Sequence, residues 1–257
     1  MIVRLLLILA FLLPLPALAQ SAGEPKLVPD VSQRKINIQS RFTGAELLMF
    51  GAIIYPRGVA PEGQIDVAVV LRGPTRPIIL REKQKVAGIW VNADSIDFRS
   101  APAYYAIASS RPIEKIVDAR TAAIYELGLK RLQLSPTGEI QTREVRRFTD
   151  GLVELNRKDG LFAEAPGEVD ITDQVLYRAR LTLPSSVPEG RYIAETLLIR
   201  DGRVIMADDS VVVEISKTGF ERFVTIMAQE YGLLYGAFAV LISLFLGWFA
   251  GYVFGRL

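Results

Sequence analysis

Between Glu230 and Arg256 the chain carries no Asp, Glu, Lys or Arg. As a helix, residues 231–255 would be about 37 Å long at ~1.5 Å per residue, against a hydrocarbon layer of ~30 Å. Leucines, valines and phenylalanines such as Leu233, Phe238, Leu241 and Phe249 each favour insertion by roughly 0.3–0.6 kcal/mol near the bilayer centre. Tyr231 and Tyr235 at one end, and Trp248 and Tyr252 near the other, suit the two interfaces. A buried core helix rarely runs this long without a charge. The stretch reads as a transmembrane helix with membrane lipid as its surroundings.

Ala239, Ser243, Gly247, Gly251 and Gly255 follow one another at steps of four, which places them on one ridge of that helix. Gly232 and Gly236 make another such pair. Small residues at this spacing let two helix backbones approach where lipid removes the hydrophobic drive. The ridge is the candidate helix–helix interface, with self-association or a membrane-protein partner on its far side. The plain alternative is that glycine is common in membrane helices.

Met1 to Ala19 has the pattern of a signal peptide. Arg4 is the charged start, Leu5 to Leu13 the apolar run, and Ala17-Leu18-Ala19 the small-x-small cleavage site. The expected product is a single-pass protein of a bacterial inner (cytoplasmic) membrane, its ectodomain in the periplasm and Arg256-Leu257 in the cytoplasm. Lys217 and Arg222 on the outer side run weakly against the positive-inside rule, but long domains translocate largely regardless of charge.

The 30 basic and 28 acidic residues leave a net charge of +2. That balance lacks the clustered basic face of a nucleic-acid binder, so no nucleic-acid partner is expected. There is no Cys and no His. Disulfides, thiol chemistry, the commonest general base and the commonest transition-metal ligand are all missing.

The fold expected between signal and anchor is mainly β with helices (α+β), built as immunoglobulin-like β-sandwiches. Ile36 and Ile38 alternate with Asn37 and Gln39, and Glu46 to Tyr55 is a longer run in which Gly51 marks a bulge or a close backbone approach. Ile65, Val67, Val69 and Leu71 point one way, and Gln64, Asp66 and Arg72 the other. Pro77 to Arg81 and Val86 to Asn92 read as two strands around a polar link, 82–85, and Ala103 to Ser109 as a sixth. Pro112 opens a helix with Ile113, Ile116, Val117, Ile124 and Leu127 on one face. A second helix is expected from about Gly138 to Asp159, stopped by Gly160. Strand patterns return with Leu176 to Leu183 and with a hairpin around Asp201-Gly202. Pro188-Glu189-Gly190-Arg191-Tyr192 resembles the late strands of an immunoglobulin-type or fibronectin-type module. The expected segments are a signal peptide (1–19), an N-terminal sandwich-like domain (20–110) and a helical segment (111–160). A second β-rich domain (161–216), a juxtamembrane amphipathic helix (217–230) and the transmembrane helix (231–255) follow.

Catalytic constellations are harder to find. No phosphate-cradling glycine loop, Gly-x-Ser-x-Gly elbow or metal-ligand spacing occurs. Asp170 with Asp173, and Asp208 with Asp209, are the tightest carboxylate pairs; turn and strand-end roles suit them better than calcium, which needs more oxygens in a defined loop. Asp94 and Asp97 near Trp90 fit loop capping or a ligand pocket, and Tyr104-Tyr105 a binding patch or one core and one surface ring. No catalytic residue, cofactor or metal site is assigned.

Ile36-x-Ile38, Phe42-Thr43-Gly44-Ala45-Glu46-Leu47 with Phe50-Gly51, Leu71-Arg72-Gly73-Pro74, Gly88-Ile89-Trp90-Val91-Asn92 and Gly160-Leu161-Phe162 occur in an order that resembles a family of alphaproteobacterial transmembrane proteins of unknown function. The resemblance implies a topology and no activity; it also implies an association with permeases of the sulfite-exporter type. Two functional classes follow. One is a non-enzymatic accessory or interaction subunit of a larger membrane protein, and the other a tethered periplasmic ligand-binding or enzymatic module.

Overall fold

The computed structural model describes residues 25–38, 43–58, 60, 62–138, 141–217, 224 and 227–255. The expected signal peptide, Arg256 and most of the expected juxtamembrane helix lie outside them. Of that last stretch, Lys217 ends a strand and residues 227–230 are helical.

The strands are β1 (Lys26–Val31), β2 (Lys35–Ile38), β3 (Ala45–Ile54), β4 (Ile65–Arg72), β5 (Thr75–Val86), β6 (Ile89–Pro102) and β7 (Tyr105–Ser109). They continue with β8 (Ser135–Pro136), β9 (Phe162–Pro166), β10 (Val169–Thr172), β11 (Leu176–Leu183), β12 (Gly190–Arg200) and β13 (Arg203–Lys217). The helices are α1 (Ile113–Ile116), α2 (Ala119–Ile124), α3 (Thr142–Lys158) and α4 (Gly232–Phe254). The protein is therefore mainly β, with a few helices and one C-terminal helix long and apolar enough to span a membrane.

Two sheets make the sandwich. One runs β1-β3-β11-β10 and the other β2-β13-β12-β4-β7-β9. This is the A-B-E-D and G-F-C order of immunoglobulin domains, with the first strand pair divided between the sheets. After β1 the chain crosses over at Ser32, whose N–H donates to the Leu48 carbonyl (2.9 Å). β2 then pairs in parallel beside β13. Tyr192, near the start of β12, donates its hydroxyl to the Pro188 carbonyl at 2.6 Å. A tyrosine bonded back to the chain just upstream is the corner typical of such sandwiches.

This topology corrects the division into two β domains at 110 and 161. β11 lies beside β3, and β12 beside β4, so strands from both halves share each sheet and one core. Neither half could bury its inner face alone. β11 alternates strictly: Tyr177, Ala179, Leu181 and Leu183 are buried, and Leu176, Arg178, Arg180 and Thr182 exposed. β4 is buried on both faces. Val67, Val69 and Leu71 meet the sandwich core, whereas Ala68 and Val70 meet a second core under the helices.

Two insertions interrupt the sandwich. Between β4 and β7 runs the β5–β6 hairpin, closed by Ala87 and Gly88 at positive φ, as a two-residue turn requires. The expected polar link 82–85 is thus part of a continuous strand. Between β7 and β9 lies the helical segment. Its first helix is two short ones, because Asp118 caps a new start at α2, its carboxylate accepting from Thr121 N–H at 2.7 Å. Ile124 points to solvent (63% exposed) instead of joining Ile116, Val117 and Leu127 in the second core. α3 places Phe148 and Leu152 inside but leaves Leu155 exposed. It ends as the glycine predicts: Gly160 (φ 71°) donates to Arg157 and Leu161 to Asn156, closing the last turn in the Schellman manner. Phe148 packs on Ile96 and Phe98 of the hairpin, a third small core. β1 precedes the first strand that the alternation at Ile36 and Ile38 indicates, and β9 and β10 precede the pattern at Leu176 to Leu183.

Candidate functional site

The ridge residues Ala239, Ser243, Gly247 and Gly251 lie within α4, with Gly255 as its C-cap, and all are exposed. Beside Gly232, Gly236, Gly247 and Gly251, apart from the helix's own adjoining backbone, no atom of the described residues lies within 4 Å of where a Cβ would stand. Ser243 donates its hydroxyl to the Ala239 carbonyl at 2.9 Å, so the one polar group of the ridge is satisfied within the helix. Gly255 has a second reason to be glycine, since a Cβ there would meet the Gly251 carbonyl oxygen at 2.6 Å. Phe245, Trp248, Phe249 and Tyr252 form a run of ring contacts at 5.9–6.2 Å. At 3.6 residues per turn these rings fall roughly opposite the ridge. The helix thus has a smooth side and a bulky side.

In the β-rich domain a cavity of about 360 Å³ opens between α1, α2 and the edge of β7 and β9. Several polar groups around it already serve the fold. Asp118 caps α2, and that hydrogen bond to Thr121 holds its carboxyl below the usual range. Glu164 accepts from Leu129 N–H at 2.5 Å. Buried Tyr105 donates to the Glu126 carbonyl (2.6 Å) and accepts from Gly128 N–H (3.0 Å), pinning a loop in which Glu126 and Gly128 both have positive φ. Lys130 and Arg131 are exposed at its rim.

Two charged clusters bind the helical segment to the sheet. Arg111 pairs with Asp66, which also accepts from Ser110 Oγ at 2.7 Å. Burial pushes the Asp66 carboxyl up, but the bonds from Arg111 and Ser110 outweigh it and the net shift is downward. Arg72 pairs with Glu195, donates to the Tyr125 carbonyl at 3.1 Å and lies 3.8 Å from Glu126. Each arginine joins a strand to the helical segment, an arrangement suited to holding the insertion in place.

The carboxylates singled out from the sequence do not come together. Asp94 sits in β6 and accepts from Arg147 of α3 at 3.0 Å, while Arg147 also reaches Glu82 at 3.1 Å. Asp208 accepts from Ser210 N–H at 2.9 Å, and Asp173 occupies a turn at φ 52°. Among the described residues no group of three or more Asp or Glu could hold a metal ion. Tyr104 and Tyr105 are neither a patch nor a core–surface pair: both are fully buried, one in each of the two larger cores.

One surface escaped the sequence reading. At the closed end of the hairpin, Val86, Ile89, Trp90 and Val91 are all exposed, Trp90 by 66% and Ile89 by 69%. The run Val86-Ala87-Gly88-Ile89-Trp90-Val91 resembles a strand destined for a core. Its place at a hairpin end, which no local pattern reveals, leaves it uncovered.

A family model described as "Putative transmembrane protein (Alph_Pro_TM)" matches residues 26–256, from β1 to the end of the anchor. No curated protein and no solved structure matches the chain.

Proposed function

The chain belongs to that transmembrane-protein family, and on this premise we propose that it is a non-enzymatic accessory or interaction subunit. In this reading the signal peptide exports the β sandwich to the periplasm, α4 anchors it in the inner membrane, and a larger membrane protein is its partner. A permease of the sulfite-exporter type is the partner that the family resemblance implies. The observation that supports this most is the sidedness of α4, with small residues at Ala239, Ser243, Gly247 and Gly251, open space beside the two glycines, and rings on the other side. Pairing along an i±4 ridge leads to the close, right-handed crossings of small-residue membrane helices.

The test is co-purification of the full-length protein from native membranes in mild detergent, with mass spectrometry. A stoichiometric membrane protein in the eluate is expected, and its absence under crosslinking would reject the subunit reading. A reporter active only outside the cytoplasm should work when fused near Lys217 and fail after Leu257; the reverse pattern would reject the orientation. The cavity beside α1 and α2 supports the second reading, a tethered ligand-binding module, because its volume lies in the range of small-molecule sites. A small molecule retained through native purification, and displaced when Ala122→Trp fills the cavity, would favour that reading.

A further inference from the structure

The hairpin β5–β6 ends in an uncovered apolar tip. Register pairs Val86 with Ile89 and Lys85 with Trp90, and Gln84 with Val91 and Lys83 with Asn92. Facing pairs share a side of a two-stranded ribbon. One side of the tip therefore carries Val86, Ile89 and Val91, and the other carries Trp90 between Lys83 and Lys85. Residues 83–92 contain two lysines and no acid. The carboxylates that flank the tip in sequence, Glu82 and Asp94, share Arg147, so with the two lysines this end of the hairpin keeps a net positive charge.

We propose that this tip is a second membrane contact, seating Trp90 and its apolar neighbours in the headgroup region of the bilayer that α4 enters, with Lys83 and Lys85 on anionic lipid. The inference rests on membrane anchoring alone and not on the existence of a partner protein. Tryptophan, with an apolar body and a polar N–H, is at home at that depth. Flanking lysines suit a lipid surface better than a protein one, because the cores of protein interfaces are depleted in lysine.

Placement in the fold supports the same occupant. The root of the hairpin stands at the end of the sandwich from which the chain leaves for the anchor. A Cβ on Gly190 would lie 2.8 Å from Pro74, just before β5, and Gly190 pairs with Ile215, two residues before Lys217. From Thr75 to Val86 the ribbon is about 36 Å long at ~3.3 Å per residue. With residues 227–230 helical, the chain between Lys217 and Gly232 spans at most about 43 Å. Arm and tether start from one end of the domain and have comparable reach, so the tip is within range of the surface.

The test uses the full-length protein with Trp248→Phe, which leaves Trp90 as the sole tryptophan of two. It is purified alone and reconstituted into phosphatidylcholine vesicles with or without phosphatidylglycerol. Lipids brominated on the acyl chains are expected to quench Trp90 in the anionic vesicles, while iodide in the buffer does not. Lys83→Glu with Lys85→Glu should reverse this, since each lysine near an anionic surface changes its population there by about fivefold. Trp90→Phe with Trp248 retained reports that the anchor is inserted in every sample. Quenching of Trp90 by iodide and not by brominated lipid overturns the proposal. So does shielding from both, which would place the tip against protein, a second copy of the chain included.

Discussion

Gly51 lies directly under Tyr177: a Cβ on the glycine would stand 2.6 Å from the phenol oxygen and 2.5 Å from the Val28 carbonyl oxygen. The two residues face each other across β3 and β11, and the ring uses the missing side chain to reach Thr196, whose hydroxyl it meets at 3.3 Å. Gly51→Ala should therefore destabilise the sandwich by about 1–3 kcal/mol, the usual cost of overpacking a core. Thermal melts of the purified protein should show a fall of about 2–4 °C for each kcal/mol. An unchanged melting temperature would mean that β1 and Tyr177 yield without cost.

The hairpin is held to α3 by packing more than by charge. Phe148 is buried against Ile96 and Phe98, so Phe148→Ala should cost about 3 kcal/mol and release amide protection along β5 and β6. Arg147→Ala removes the contacts to Glu82 and Asp94, which are open to solvent and screened by it. It should change the melt little. Equal loss in both variants would shift the credit from the buried ring to the ion pairs.

Stability should fall at both ends of the pH scale for separate reasons. Arg111 and Ser110 hold the Asp66 carboxyl below its unfolded range. Its contribution is therefore complete above the unfolded value and is lost as pH falls through the folded one. Asp66→Asn should flatten that acid limb while lowering stability at neutral pH. Burial pushes the Tyr177 phenol up to about 12 and raises Tyr104, Tyr105 and Tyr192 as well. Their contribution is complete below the ordinary value near 10 and is lost as pH rises through the folded values. Urea melts against pH, with phenolate absorbance, should find these four ionising only as the fold opens. Their free titration near pH 10 in the native protein would contradict the burial argument.

On the anchor, Gly247→Ile with Gly251→Ile keeps the helix apolar, so membrane levels should hold. Helix–helix association, read by crosslinking of full-length protein, should weaken because the backbones are held apart. Leu246→Ile, off the ridge, should have little effect. If the glycine pair variant associates as well as wild type, the glycines are ordinary membrane glycines.

Much of this was legible locally. The charge-free stretch after Glu230 specifies a membrane helix whatever surrounds it, since hydrocarbon demands apolar side chains and internal backbone bonding. Strict alternation in Leu176–Leu183, the Asp201-Gly202 turn, the glycine stop at Gly160 and the close approach at Gly51 are each dictated within a few residues. The small-residue ridge is likewise a matter of spacing alone.

Which strands lie side by side was decided only by the tertiary structure. Alternation says that Tyr177 and Leu181 need cover, but not that β3, more than a hundred residues earlier, supplies it. The two halves therefore looked like two domains. The polar run 82–85 has no buried face to impose alternation, so its strand exists only through its pairing with 90–94. The same non-locality governs burial. Tyr104 and Tyr105 are adjacent yet enter different cores because β7 is covered on both faces, whereas Trp90, as apolar as either, is left uncovered because no other element among the described residues reaches the end of its hairpin.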